Sequence, residues 1–265
     1  MDGQATNNKQ GTTNKEQRTK DKHMKVLKFG GSSLGAPKII KEVKDIIETQ
    51  EIGTVVVVSA FHEVTDQLVD MAHLARERDD QYKNILEDIK QRHLTLVDEV
   101  IAERIQKDNL TRQVTELFTE LGEILSGIYL LKDLTPKGMD YVQSFGERLS
   151  ATIMSEVVEN GYFKDARSFI RTNDHFGKAK VDFEHTYKQI QVHLQERNHY
   201  IIVPGFIAST EDNETTTLGR GGSDYTAAII AAAMSASVLE VWTDVDGFMT
   251  ADPKMVNKAY AVESL

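Results

Sequence analysis

TVVVVSA, residues 54–60, decides the architecture. Four consecutive valines behind a threonine form a β-branched run with no polar alternation, the mark of a strand covered on both faces, as in a parallel sheet. Working outward, residues 25–29 (KVLKF) read as a short strand that runs into Gly30-Gly31-Ser32-Ser33. A helix follows over about residues 37–49, with Ile39, Ile40, Val43, Ile46 and Ile47 on one side. Residues 65–131 keep helical spacing for a long stretch (Val114, Leu117, Phe118, Leu121, Leu125, Ile128), which predicts a helical insertion between sheet strands. Further strands are expected at 166–170, 200–203 and 238–242, and helices at about 148–160, 185–195 and 223–235. Strand and helix alternate. The alternation predicts an α/β fold with a mainly parallel, helix-covered sheet and ligands at the C-terminal strand ends.

Composition bounds the function. The 265-residue chain has no cysteine, which excludes disulfides, thiolate metal sites and thiol nucleophiles. Its net charge is −10, and residues 1–23 hold five Lys/Arg against three Asp/Glu, so the rest carries −12. Such a body repels nucleic acid, and no run of Lys/Arg interleaved with aromatics follows position 23. No apolar run approaches the roughly 18 residues of a membrane span, and no signal peptide is seen, so no membrane partner and a cytoplasmic location are expected. Residues 1–23, rich in Asn, Gln, Thr and Lys, read as a disordered tail or cloning remnant, with the fold beginning at Met24.

Four segments carry candidate chemistry. In Lys28-Phe29-Gly30-Gly31-Ser32-Ser33, two glycines after a strand let the backbone approach a ligand, and a lysine stands where phosphate oxygens would lie. The spacing is neither a Walker A loop nor GxGxxG, and a tight turn with a solvated lysine explains it about as well. In Leu218-Gly219-Arg220-Gly221-Gly222-Ser223-Asp224, glycines clear space around an arginine able to grip a carboxylate through two hydrogen bonds, at the start of a helix that favours anions. A capping role accounts for Asp224 but not for an arginine among three glycines. Phe145-Gly146-Glu147-Arg148 joins an irregular stretch to a helix and reads as a surface ion pair. Trp242 to Pro253 (WTDVDGFMTADP) ends a strand in alternating acids and hydroxyls without the spaced ligands of a calcium loop, and suits a nucleotide base or sugar better. The eight histidines show no metal-ligand spacing.

Together KFGGSS (28–33), SFGERLSA (144–151), GFIAS (205–209), TTTLGRGGSDYTAA (215–228) and WTDVDGFMTADP (242–253) resemble the aspartokinase branch of the amino-acid kinases, in the expected order from Met24 to the end of the chain. The resemblance implies a three-layer αβα sandwich with a mainly parallel central sheet. It also implies transfer of the γ-phosphoryl group of ATP, with Mg2+, to the β-carboxylate of L-aspartate, the first step of lysine, threonine and methionine biosynthesis. By resemblance Lys28 is catalytic and neutralises the phosphoryl group, Gly30, Gly31 and Ser32 cradle the nucleotide, and Asp224 orients the cations. Thr65, Glu147, Phe206, Arg220, Gly221, Gly222 and Ser223 match aspartate-holding positions, Arg220 taking the α-carboxylate and Glu147 the α-ammonium. Thr243 and Asp244 match nucleotide contacts, while Met249 and Lys254 replace the usual tyrosine and arginine. Family chains continue into a GAKVLHP-like segment and then ACT domains or a homoserine dehydrogenase. Residues 24–265 are therefore expected to be a catalytic domain truncated at its C-terminal end, a homo-oligomer when full length. The form TDVDG leans toward the fused dehydrogenase type. Alternatives are an aspartate-binding fragment without turnover, or the same fold acting on another acceptor such as glutamate.

Overall fold

The computed structural model describes residues 24–195, 197–243, 247, 250 and 260. Seven strands are seen among them: β1 Lys25–Phe29, β2 Val55–Val58, β3 Gly161–Phe163, β4 Tyr200–Pro204, β5 Ile207–Ser209, β6 Thr215–Thr217 and β7 Val238–Trp242. The helices are α1 Pro37–Glu48, α2 Val64–Arg76, α3 Gln81–Val100, α4 Arg104–Leu131, α5 Pro136–Val157, α6 Phe183–His193 and α7 Gly222–Ala233. Five strands form one sheet in the order β3-β4-β2-β1-β7, every pair parallel, and β5 and β6 make a separate antiparallel pair.

The valine run explains the layering. Side chains alternate across a strand, so Val56 and Val58 face one core while Val55 and Val57 face the other, and all four are fully buried. Val56 and Val58 join Leu27, Phe29 and Ile202 beneath the apolar sides of α1 to α5. Val55 and Val57 join Val26, Ile201 and Val203 against α6 and α7. The result is a three-layer αβα sandwich. Among the described residues, no helix is long and apolar enough to cross a membrane.

Several boundaries differ from expectation. The predicted insertion is a bundle of three helices, α2, α3 and α4. Residues 166–170 are not a strand: Ala166–Ser168 is a 3-10 turn, begun where the Asp165 side chain accepts from Arg167 N at 3.0 Å. Local capping won over the apolar run, although Phe169 and Ile170 are still buried. The helix expected to start near 148 begins at Pro136, because Thr135 accepts from Gly138 N at 3.0 Å and proline suits a first helical position. Glu147 is therefore in mid-helix. The β5–β6 pair and the short edge strand β3 were not anticipated.

Candidate active site

The C-terminal ends of β1, β2 and β4 open into one cleft of about 760 Å³. Three chain segments enter it through turns that start helices. After β1, Gly31–Leu34 makes a 3-10 turn; after β2, α2 begins behind Glu63; and α7 begins behind Gly221. Glu63 and Gly221 take left-handed backbone (φ 66° and 70°), and none of the three starts has a side-chain cap. The first N–H groups of such helices have no intrahelical acceptor, so they present donors and positive dipole ends to the cleft. That arrangement favours anions despite the acidic body.

Lys28, the fourth residue of β1, projects beneath this opening. It is 7% exposed, and its Nζ pairs with Asp224 Oδ1 of α7 at 2.8 Å. The pair holds an ammonium group at the base of the cleft, while the Asp224 side chain remains half exposed. Asp224 is thus also a hard oxygen donor, of the kind magnesium accepts alongside phosphate oxygens and water. Gly31 is required by contact: a Cβ there would lie 2.8 Å from the Ala60 carbonyl oxygen. Gly30 has its own N–H engaged, donating to Trp242 O at 3.1 Å, which ties the loop to the end of β7. The donors this loop offers are therefore the N–H groups of Gly31 and Ser32, which open the 3-10 turn. A Cβ at Gly30 would lie 3.9 Å from Ser32 Oγ and 3.6 Å from Lys28 Nζ, so hydroxyl and ammonium border the same space.

Glu147 comes from the middle of α5 and is 4% exposed. Its Oε1 accepts from Ala60 N at 3.2 Å, whereas Oε2 is buried without a hydrogen-bond partner. Burial pushes its carboxyl up to about 8, against smaller opposing effects of the Ala60 N–H and the Lys28 ammonium. This is not the surface ion pair that Glu147-Arg148 resembled in the sequence. Arg148 turns away and pairs with Glu120 of α4 at 2.8 Å. An orphaned carboxylate oxygen in a cleft wall is a site for a cation.

Arg220 lines the same cleft from the loop between β6 and α7. It is exposed and has no ion-pair partner among the described residues. Gly219 and Gly221 flank it with φ 74° and 70°, so the loop is built from backbone that β-carbon-bearing residues avoid. Gly222 is fixed by packing, since a Cβ there would be 2.6 Å from Phe206 Cδ2. Phe206 itself has φ 66°, held by its N–H on Thr226 Oγ1 (3.0 Å) and its carbonyl oxygen on Leu218 N (2.8 Å). Ser223 lies in the first turn of α7, and Thr65 in that of α2.

Lys28, Gly31, Thr65, Glu147 and Phe206 thus line the same cleft as the 220–224 segment. Gly30 and Ser32, on either side of Gly31, are not part of its lining. Thr243, just past β7, is not part of its lining, and Asp244, Met249 and Lys254 lie outside the described residues. Sequence reasoning missed Asp140 and Gln143, which line the cleft from α5. Gln143 and Asp140 stand four and seven residues before Glu147, a spacing that puts all three on one helix face once the helix is started at Pro136.

A parallel sheet whose strand ends carry a buried lysine, uncapped helix starts and a Gly-rich arginine loop defines an α/β protein with an anion-favouring cleft, and comparison gives it a family. A model of the amino acid kinase family matches residues 23–265, and the chain belongs to that family. Within it, the chain is closely related to aspartokinase catalytic domains. It is 34% identical over 252 residues to the chloroplastic bifunctional aspartokinase/homoserine dehydrogenase of Daucus carota, covering 91% of this chain and 27% of that one. It is 32% identical over 246 residues to the lysine-sensitive aspartokinase 3 of Escherichia coli (strain K12), covering 91% and 53%. The structure of E. coli aspartokinase III in complex with aspartate and ADP superposes with a TM-score of 0.82 at 30% identity, over 91% of this chain and 53% of that chain. The chain therefore spans between about a quarter and a half of the length of these relatives.

Proposed function

We propose that this chain transfers the γ-phosphoryl group of ATP to the β-carboxylate of L-aspartate, giving 4-phospho-L-aspartate and ADP. The observation that carries the reading is Glu147: a buried carboxyl with one unpartnered oxygen calls for a ligand cation, which an α-ammonium group supplies. Arg220, in the loop before α7 that lines the same cleft and without an ion-pair partner among the described residues, is matched to the α-carboxylate of the same ligand. A free amino acid satisfies both. An N-acylated one has no ammonium for Glu147. The relative of known structure that binds aspartate and ADP supports the choice of ligands.

In this reading the amino acid's side-chain carboxylate is already ionised at neutral pH and attacks the γ-phosphorus in line, as ADP departs with the bond's electron pair. No general base is needed. The protein's task is to hold two anions together and damp their repulsion. Lys28 lies where it meets charge on the transferring group, held there by Asp224. The N–H groups of Gly31 and Ser32, and the start of α7, supply further donors. Magnesium bound with ATP would neutralise phosphate charge, and Asp224, half exposed beside Lys28, is a carboxylate that would hold it directly or through water.

Coupled ADP release measured side by side with L-aspartate, L-glutamate and N-acetyl-L-glutamate tests the assignment, with aspartate expected to give the highest kcat/KM. A higher value with glutamate would overturn the substrate. Lys28→Ala is expected to lower kcat by about two to three orders of magnitude while circular dichroism stays unchanged. Near-normal turnover in that variant would remove Lys28 from its role. Calorimetric aspartate binding without ADP release in the wild type would make the chain a binding module.

A further inference from the structure

Asp140 is buried to 1% exposure on α5, two turns before Glu147 and on the same face. Its carboxylate accepts three hydrogen bonds: Oδ2 from Gly177 N at 2.9 Å and Thr217 N at 3.1 Å, and Oδ1 from Thr217 Oγ1 at 2.8 Å. It has no ion-pair partner among the described residues. A buried carboxylate without a counterion is costly, and an apolar residue would pack a helix flank at less cost. What the carboxylate provides here is acceptor capacity on both oxygens, and the donors it gathers come from two separate segments bordering the cleft.

Thr217 is the last residue of β6, and the Leu218–Gly221 loop follows it directly. That loop has little anchorage of its own. Its two glycines have left-handed backbone, and Arg220 between them is exposed and without a partner among the described residues. Its course is set at its ends. The far end enters α7, where Gly222 N donates to Gly219 O at 2.9 Å. The near end is held by Leu218 N on Phe206 O, and by Thr217, whose N–H and hydroxyl both bond to Asp140. Through one side chain, the helix that carries Glu147 is therefore tied to the strand that delivers Arg220. The third bond adds the loop of Gly177, which has φ 77° and also lines the cleft.

We infer that Asp140 is a positioning residue, which sets the separation between the Glu147 carboxyl and the Arg220 guanidinium and so matches the site to the ammonium-to-carboxylate span of an α-amino acid. It touches no reacting atom. This rests on the reading of the site given above for the identity of the ligand, but its structural part does not. Loss of the tie frees the arginine loop, weakening the amino acid's hold while leaving the nucleotide's contacts with Lys28 and the Gly31 turn in place.

Three variants of the full chain test this. Asp140→Ala removes all three bonds, Asp140→Asn keeps an oxygen for the two N–H donors, and Thr217→Val removes only the hydroxyl bond. Asp140→Ala is expected to raise the KM for L-aspartate about tenfold or more, with the KM for ATP changed less than about twofold. Asp140→Asn and Thr217→Val should each show a smaller rise, of about threefold. Equal rises in both KM values, or an aspartate KM unchanged in Thr217→Val and Asp140→Asn, would overturn the inference. If Asp140→Ala fails to fold, the two milder variants decide it. Amide hydrogen exchange of residues 218–222 without any ligand gives a readout independent of substrate. Faster exchange there in Asp140→Asn and Thr217→Val supports the tie, and exchange equal to wild type overturns it. A wild-type chain that phosphorylates no aspartate sinks the proposed function, whereas the exchange result still decides the role of Asp140.

Discussion

Glu147 is the side chain on which most depends at the scale of single residues. Its folded-state carboxyl is raised from 4.5 to about 8, so between those values the folded protein retains a proton that the unfolded chain has released. Stability contributed by this group accordingly falls as pH rises through that window. Glu147→Gln keeps the shape and removes the titration. In chemical denaturation, the variant should gain stability relative to wild type between pH 5 and pH 8, by up to a few kcal/mol; a pH-independent difference would contradict the assignment. An ammonium ligand favours the ionised form, so aspartate binding near pH 7 should release a proton, measurable by calorimetry in buffers of differing ionisation enthalpy. None of this was legible in the sequence read by pattern alone. Glu147-Arg148 looks like an exposed pair because adjacent residues in a helix point about 100° apart, and only the packing shows which side is buried. Resemblance of the SFGERLSA segment named Glu147 as a ligand position; the burial and the unpartnered Oε2 are what the proposed role rests on.

At the scale of elements, α5 organises the site. Gly146 lets it lie flush against the segment after β2: a Cβ there would come within 2.7 Å of Ala60 Cβ and 3.4 Å of Leu68 Cδ1. Gly146→Ala gains about 1 kcal/mol of helix propensity, but overpacking costs about 1–3 kcal/mol. The variant should melt at lower temperature, and displacement of α5 from Ala60 should weaken aspartate binding as well. A melting point at or above wild type would show that the contact yields easily. The glycine also explains why the helix start was misplaced. Gly138 and Gly146 interrupt the helical pattern of a sequence reading, whereas the real signal, Thr135 capping a helix with proline next to it, is a two-residue feature easily passed over. The strands β1, β2, β4 and β7 were legible because apolar and β-branched residues dominate each, interrupted only by Lys25 and Lys28 in β1 and Glu240 in β7. The β5–β6 pair was not, because three-residue strands of Ile-Ala-Ser and Thr-Thr-Thr owe their form to burial between larger elements.

On the scale of the whole molecule, the two cores share the same strands. Val56 serves the side of α1 to α5 and Val57 the side of α6 and α7. Val56→Ala and Val57→Ala should each cost about 2 kcal/mol, and each should shift a single unfolding transition rather than split it, because neither layer keeps its core without the sheet. Two resolved transitions in calorimetry would refute that coupling. The sheet also ends in a residue with a further use. Trp242 is the chain's one tryptophan, stacked on Phe29 with ring centroids 6.0 Å apart, and its carbonyl oxygen receives the Gly30 N–H beside Lys28. Trp242 is 38% exposed at the rim of the glycine turn. All tryptophan emission from this chain therefore arises at a single point next to the glycine turn proposed to meet the nucleotide. Occupancy of that loop becomes an optical signal native to the chain, readable by its colour and quenching without any label.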